Sequence, residues 1–262
     1  MRVLVTGAAR AIGAATAQVF AEKGWEVVAT ARRPELLAEV PATLRLPLDV
    51  TDEASVRECV EQAGPVDVLV NNAAISEPGP LERYPVDRFR AVLETNVVGA
   101  LRMVQAVVPG MRERGSGAIV NVSSVNGRVA SPLGGAYAAS KFALEAMSET
   151  LHFELGHFGI RVVIVEPGFI APGMKPGVEW GMDAPYDELV RQWSGADATL
   201  LPGEGRPGPE VVGEAIHEAV TTDAPALRWP VGTDAELVLA TRAAMDDAAF
   251  EAAMRDTLGL TW

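Results

Sequence analysis

Cysteine is nearly absent from the chain: Cys59 is the only one among 262 residues. A single cysteine excludes an intrachain disulfide framework and a cysteine-based metal site, and it fits a reducing compartment. Long apolar runs are missing as well, since none approaches the roughly 20 residues that cross a bilayer. The opening residues MRVLVTG contain too few apolar residues before the first glycine for a signal peptide. We therefore expect a cytoplasmic protein with no membrane span.

Basic tracts are lacking too. The chain carries 22 lysine and arginine residues against 35 aspartate and glutamate residues, a formal net charge of −13. Because such a field repels phosphate, the charge argues against a nucleic-acid partner. Lysine itself is scarce, and the only ones are Lys23, Lys141 and Lys175. An ammonium and a planar guanidinium are not equivalent at a tight site, so a lysine at position 141 is suggestive.

What the chain contains instead is a regular alternation of strand and helix patterns. Short β-branched runs such as RVLV and IRVVIV alternate with segments of helical spacing such as AIGAATAQVFAEKG. The strand runs are continuously apolar, as expected when helices cover both faces of a sheet. The pattern predicts an α/β fold, a Rossmann-type doubly wound parallel sheet, in a single domain spanning residues 1–262.

The alternation breaks after Gly168. Residues 169–208 are rich in proline and glycine, yet they include large apolar side chains such as Trp180 and Trp193. A bare solvent loop of that length would not carry them, so we interpret this segment as a lid inserted over the substrate. Residues 233–262 have helical spacing and predict a C-terminal helical tail.

A glycine-containing turn, TGAARAIG at residues 6–13, joins the first predicted strand to the first helix. Such a turn brings backbone N–H groups to a pyrophosphate at the helix N-terminus. Arg10 lies in the turn, and Arg32 and Arg33 follow the second strand, where a carboxylate would select NAD. Since a guanidinium can bind a ribose 2′-phosphate, we predict NADP(H) as the cofactor. NAD(H) is the alternative if these arginines are ordinary solvated charges.

The segment YAASK places Tyr137 and Lys141 on one helical face, about one turn apart. Taken alone, the pair fits a phenol packed in the core beside a lysine that reaches water. The alternative is an acid whose pKa is lowered by the neighbouring ammonium, toward the pH at which the protein works.

These motifs together resemble the short-chain dehydrogenase/reductase family over residues 2 to about 170. Besides the turn and YAASK, the markers are LDVTD at 48–52, NNAA at 71–74, NVVG at 96–99, NVSS at 121–124 and EPG at 166–168. They occur in the order of the family, and Ser124 precedes Tyr137 by the family's usual interval of thirteen residues.

The resemblance implies a catalytic tetrad. Ser124 would orient the substrate oxygen, Tyr137 would exchange its proton, and Lys141 would bind the nicotinamide ribose. Asn96 would hold the backbone and a water that feed a proton relay to Lys141. This chemistry requires no metal. Such a tetrad favours the second interpretation of YAASK, in which the Tyr137 phenol acts as an acid.

The resemblance also implies a cofactor site. Its residues would be Gly7, Arg10, Ile12, Gly13, Arg32, Arg33, Asp49, Val50, Asn71, Ala73, Tyr137, Lys141, Pro167, Gly168 and Ile170. Three positions depart from the family pattern. Ala11 replaces the middle glycine of the turn and would be strained if its φ were positive. Ala74 replaces a glycine, and Pro172 replaces the threonine that binds the carboxamide, which leaves that task to the backbone at Ile170.

The apolar lid predicts a substrate pocket with few polar anchors. Candidate substrate contacts are Ser124, Asn126, Arg128, Tyr137, Phe169, Met174, Trp180 and Tyr186. We expect an oxidoreductase that interconverts a small hydrophobic ketone and a secondary alcohol. An epimerase or dehydratase and a nucleotide sensor without turnover are the alternatives. The family resemblance also implies a homodimer or homotetramer, through the long helices around Asn96 and Tyr137.

Overall fold

The computed structural model describes residues 1–174, 177–194 and 205–262. Its strands are β1 (Arg2–Val5), β2 (Glu26–Ala31), β3 (Leu44–Pro47), β4 (Val68–Asn71), β5 (Gly117–Val122), β6 (Ile160–Pro167) and β7 (Arg228–Val231). Its helices are α1 (Ala11–Glu22), α2 (Glu53–Ala63), α3 (Val86–Leu93), α4 (Gly99–Arg114), α5 (Gly135–Gly156), α6 (Asp187–Trp193), α7 (Glu210–Thr221), α8 (Thr233–Ala244) and α9 (Asp247–Leu258). The predicted lid lies partly outside the described residues, at 175–176 and 195–204.

The strands form a parallel sheet in the order β3-β2-β1-β4-β5-β6-β7. The chain runs outward from β1 to β3 and then returns to place β4 on the other side of β1. The direction of travel therefore reverses between β1 and β4, and ligands of such sheets bind beside this point, at the carboxyl ends of the strands. The predicted Rossmann-type, doubly wound parallel sheet is confirmed.

Alternate residues of β1 enter two different cores. Val3 and Val5 pack with Phe20 of α1 on one face of the sheet. Leu4 packs with Met103 of α4 on the other face. Because successive side chains of a strand point to opposite faces, a strand between two helical layers is apolar at every position. This explains the continuous apolar runs in the sequence.

Helices α3 and α4 form one continuous helix over Val86–Arg114, joined through a wider π-helical turn at Glu94–Val98. By length and composition this helix could cross a membrane, with a mean hydropathy of 1.3. The short apolar runs of the sequence did not predict such a helix. Its α4 half packs into the sheet core through Met103, Val107 and Met111, which is how a helical layer of this fold is buried.

Residues 177–186 of the predicted lid are attached to the loop that follows β4. The backbone N–H of Gly177 donates to Ser76 O (2.8 Å), and that of Trp180 donates to Pro78 O (3.0 Å). These bonds fix this part of the lid segment to the loop beside the sheet.

Gly13 of α1 packs closely against the turn that precedes it. An added Cβ would overlap Gly7 O and lie 2.6 Å from Asn72 Nδ2. We expect Gly13→Ala to lower the free energy of unfolding by about 1–3 kcal/mol, which is the usual cost of overpacking. Urea unfolding measures the change.

Gly156→Ala is the control for this substitution. Gly156 ends α5 at an exposed position, and an added Cβ there meets nothing within 4 Å. The substitution should raise the free energy of unfolding by about 0.5–1 kcal/mol, because alanine loses less backbone entropy on folding. Equal effects of the two substitutions would contradict the close packing at Gly13.

Candidate active site

A cleft of about 1030 Å³ lies at the carboxyl ends of the central strands. Seventeen of the predicted site residues line it: Gly7, Arg10, Ile12, Arg32, Arg33, Asp49, Val50, Ala73, Ser124, Asn126, Tyr137, Lys141, Pro167, Gly168, Phe169, Ile170 and Met174. Residues from the first βα turn and from the ends of β2 and β3 form one end of the cleft. Residues that follow β5 and β6 form the other end, together with the first turns of α5.

The turn after β1 is held from below by Asn72, which the sequence analysis did not single out. The Asn72 side-chain amide donates to Thr6 O (2.9 Å) and Gly7 O (3.2 Å). Gly7 has a φ of +66°, and a Cβ there would lie 3.0 Å from Ala73 Cα. The turn thus needs glycine for its backbone conformation and for its close approach to the loop after β4.

Positive charge is concentrated at the β2 end of the cleft. Arg10 and Arg32 are exposed and form no ion pair within the described chain, whereas Arg33 Nε lies 4.0 Å from a Glu35 carboxylate oxygen. Ala31, the last residue of β2, carries no charge of its own. A ligand with an additional phosphate at this end would meet guanidinium groups and no carboxylate at the strand end.

Asp49 lies at the same end of the cleft. Its carboxylate accepts hydrogen bonds from the backbone N–H (3.0 Å) and hydroxyl (2.7 Å) of Thr51. Burial acts to raise the pKa of Asp49, but the Thr51 hydrogen bonds and the Arg32 charge outweigh burial and lower that pKa overall. Asp49 is therefore a stable anion that can accept a hydrogen bond from an amino group.

Two predicted cofactor residues do not reach the cleft. The Asn71 side chain is buried and donates to Asn121 Oδ1 (2.9 Å) and Ala100 O (3.4 Å). It ties β4 to β5 and α4, so the prediction that it lines the ribose is wrong for its side chain. Gly13 lies behind the turn, against Gly7 O.

The end of β5 and the head of α5 bring Ser124, Tyr137 and Lys141 together. A side-chain interaction with Ser124 acts to lower the pKa of Tyr137, which places the two hydroxyl groups close together. Lys141 Nζ lies 5.5 Å from the centre of the Tyr137 ring and donates to Val122 O (2.7 Å). The Ser124 oxygen also accepts a bond from the Asn126 backbone N–H (3.1 Å). A hydroxyl pair beside an ammonium is an arrangement that can hold an oxygen atom and exchange a proton with it.

The electrostatics of this group differ from the expectation. Burial raises the pKa of Tyr137 to about 12, and the Ser124 hydrogen bond only partly opposes it. Burial lowers the pKa of Lys141 to about 8, against the opposing charge of Glu145. The expected lowering of the Tyr137 pKa by Lys141 is therefore wrong for the protein alone, because desolvation of the phenolate dominates. The phenol stays protonated at neutral pH and can act as a donor.

Asn96 lies in the wide turn between α3 and α4 and does not line the cleft. Its side chain accepts from the Ile75 backbone N–H (2.8 Å) and donates to Ile75 O (2.9 Å) and to Ser140 Oγ (2.9 Å). Ser140 in turn donates to Tyr137 O (2.6 Å). Asn96 thus joins the loop after β4 to the first turn of α5. Its part in a proton relay stays a prediction.

Two aromatic residues predicted to contact substrate lie elsewhere. Trp180 Nε1 donates to a Glu77 carboxylate oxygen (3.1 Å), and the Tyr186 ring lies 5.8 Å from that of Trp262. Both anchor the lid segment to the protein and lie outside the cleft. Arg128 also points away, since its guanidinium lies 3.7 Å from Glu166. These contacts span large sequence separations, which local patterns do not reveal.

Other cleft residues were missed because they lie beyond the recognised motifs. They include Trp193 of α6, Arg206, Asp234 of α8 and Met254 of α9. Asp234 is 4% exposed, and its carboxylate accepts from the Phe169 backbone N–H (2.7 Å). The sequence signal that could have identified Asp234 was an acidic residue in the first turn of the helix that follows β7. Asp234 therefore fixes the loop after β6.

Pro172, at the position of the missing threonine, lines the cleft. The backbone N–H of the preceding Ala171 donates to Pro207 O (2.8 Å). Neither residue can donate a hydrogen bond to a ligand there, so the assignment of that role to the backbone at Ile170 stays a prediction. Ala74 lines the cleft as a small side chain.

Comparison with known proteins agrees with this geometry. The sequence profile of the short chain dehydrogenase family matches residues 1–180. A 3-ketodihydrosphingosine reductase of Bacteroides thetaiotaomicron is 34% identical, over 91% of this chain and 90% of that protein. A short-chain dehydrogenase structure from Streptomyces avermitilis has a TM-score of 0.81 and 33% identity, over 98% of this chain and 97% of that one. A Burkholderia cenocepacia short chain dehydrogenase in complex with NADP has a TM-score of 0.78 and 28% identity, over 97% and 96% of the two chains.

The φ of Ala11 is +46°, which is unfavourable for a residue with a Cβ. We expect Ala11→Gly to raise the free energy of unfolding by about 0.5–1 kcal/mol, because relief of this strain exceeds the entropy cost of glycine. Ala14→Gly, one turn later in α1, is the control and should lower that free energy by about the same amount. Destabilisation by both substitutions in urea unfolding would contradict the strain at Ala11.

Proposed function

The chain belongs to the short-chain dehydrogenase family, and from that premise we propose that it is an NADP(H)-dependent oxidoreductase interconverting a hydrophobic ketone and a secondary alcohol. Membership makes it an enzyme acting on CH–OH groups with NAD(P). The observation that carries the finer proposal is the Ser124–Tyr137–Lys141 group at one end of a cleft with a glycine turn at the other.

The cleft fits an NADP-type nucleotide. Gly7 and Ile12 line the cleft beside the N-terminus of α1, where backbone N–H groups would bind a pyrophosphate. Arg10 and Arg32 would bind the 2′-phosphate, and Asp49 would accept from the adenine amino group. The related Burkholderia cenocepacia structure contains NADP, which supports the choice. NAD(H) remains the alternative cofactor.

The reacting groups follow from the geometry of the hydroxyl pair. When bound, the cofactor supplies the hydride. Ser124 and Tyr137 would both hydrogen-bond the carbonyl oxygen, and Tyr137 would donate its proton to that oxygen as negative charge develops. Lys141 would stabilise the phenolate left behind, since its ammonium is adjacent to the ring. The raised pKa of Tyr137 keeps the donor protonated before the reaction.

Apolar side chains support a hydrophobic substrate. Phe169, Met174, Trp193 and Met254 lie around the cleft. The relative from Bacteroides thetaiotaomicron is named for the reduction of 3-ketodihydrosphingosine, which agrees with an apolar carbonyl compound. We further propose one domain over residues 1–262, a cytoplasmic location, and a homodimer or homotetramer through α4 and α5.

The test measures turnover of NADPH and of NADH with a panel of hydrophobic ketones. Turnover is monitored as the loss of the reduced-nicotinamide absorbance. We expect turnover that favours NADPH. Tyr137→Phe should abolish turnover and keep nucleotide binding, because only the proton donor is removed. Arg32→Ala should weaken NADPH binding with little effect on NADH, whereas Arg57→Ala, on the exposed face of α2, should change neither.

Three outcomes would contradict parts of this account. Full activity of Tyr137→Phe would show that Tyr137 is not the proton donor. A preference for NADH would mean that the arginines are surface charges. Nucleotide binding without turnover of any ketone would favour the epimerase, dehydratase or sensor alternatives.

A further inference from the structure

A cluster of charged side chains, two of them buried carboxylates, lies behind the catalytic group and has no part in the chemistry above. It consists of Glu145 on α5, Glu166 at the end of β6, Arg228 on β7 and Arg128 after β5, and we call it the carboxylate cluster. Glu145 is 4% exposed and Glu166 is 1% exposed. Carboxylates are rarely buried to this degree unless they are paired.

The two carboxylates share one guanidinium. Arg228 Nε lies 3.1 Å from Glu145 Oε2 and 3.7 Å from Glu166 Oε1. Arg128 lies 3.7 Å from the same Glu166 oxygen, and Arg228 also pairs with Glu149 at the surface. Gly127 packs closely against the same side chain, since a Cβ at Gly127 would lie 2.9 Å from Glu145 Cγ. Glu145 is therefore held tightly in place.

Glu145 also faces the catalytic lysine. It follows Lys141 by four residues on α5, so the two side chains share one helical face. Lys141 is 3% exposed, and Val122 O is its hydrogen-bond acceptor. A buried ammonium with one carbonyl partner depends on a nearby negative charge to stay protonated.

The charges around Glu145 come from every element packed against it. Lys141 and Glu149 lie on its own helix, Glu166 on β6, Arg228 on β7, and Arg128 in the segment after β5. When all are ionised, three negative groups balance three positive groups. Loss of the Glu145 charge, which lies one helical turn from Lys141, leaves an excess of positive charge around Lys141.

We propose that Glu145 is a positioning residue that keeps the Lys141 ammonium charged, and that its own charge is held in place by Arg228. The effect of Glu145 on the charge of Lys141 does not depend on the proposed function. Its consequence for catalysis does rest on that function, in which the charged Lys141 stabilises the Tyr137 phenolate. Burial lowers the pKa of Lys141 to about 8, and Glu145 is the charge that opposes this shift. Removing Glu145 should therefore lower the pKa of Lys141 further.

The titration of Lys141 can be read directly by NMR, because the chain contains only three lysines. The protein without nucleotide would be labelled with ¹³C at the lysine ε-carbon and titrated with pH. Loss of one signal in Lys141→Arg assigns Lys141. In the wild type we expect its midpoint near pH 8, far below that of an exposed lysine.

Glu145→Gln should lower this midpoint by about one pH unit or more, as expected for the loss of an adjacent opposite charge. Glu149→Gln is the matched control, because Glu149 binds the same arginine but is exposed and does not contact Lys141. It should leave the midpoint unchanged. Equal midpoints in the wild type and Glu145→Gln, or equal shifts in both variants, would overturn the proposal, and Glu145 would then be only a structural residue.

The wild type provides a second test should Glu145→Gln fail to fold. The Lys141 signal should show a further inflection at acidic pH, where Glu145 ionises beside it. Its absence, or a Lys141 midpoint near that of an exposed lysine, would overturn the proposal without any variant. If the NMR shifts appear but no ketone is reduced, the proposed function fails and the role of Glu145 stands.

Discussion

A buried ammonium joins the middle of the sheet to the 22-residue helix α5. Lys141 Nζ donates to Val122 O at the last residue of β5 and lies 5.5 Å from the centre of the Tyr137 ring. Because a buried charge must be compensated, this contact constrains what surrounds it: a carbonyl at the strand end, a carboxylate one turn along the helix, and an arginine behind that carboxylate. The Tyr137 phenol is placed by the same helix turn that places the lysine.

The topology of the sheet is the second constraint on the site. The reversal of strand order between β1 and β4 opens a crevice in which the glycine turn lies at one end, and the residues after β5 and β6 at the other. The side chain of Asn72 fastens the turn, that of Asn96 fastens the head of α5, and that of Asp234 fastens the loop after β6. Three buried or half-buried polar groups thus set the backbone that a cofactor would contact.

The sequence alone predicted the fold because periodicity reports burial on both faces of a parallel strand. The strand at Arg2–Val5, the helix at Gly135–Gly156 and the turn between β1 and α1 followed from local pattern. Local pattern could not predict three other features: the side-chain direction of Asn71, the hydrogen bond of Trp180 to Glu77, and the contact of Asp234 with Phe169. Each depends on partners that lie far apart in the sequence and that only the fold brings together. The raised pKa of Tyr137 was missed for a related reason: the neighbouring lysine is visible in the sequence, but the desolvation that outweighs it is not.

The most direct measurement is transfer of deuterium from NADPH labelled at both C4 positions to a reducible ketone, with mass spectrometry of the nucleotide and the alcohol. If Tyr137 donates the proton while the cofactor donates hydride to the same carbonyl, the alcohol carries one deuterium on its carbinol carbon, and NADP⁺ accumulates in equal amount. NADP⁺ should keep the second deuterium, so retention of both deuterium atoms in the nucleotide, or product formed without net oxidation of NADPH, would contradict the account.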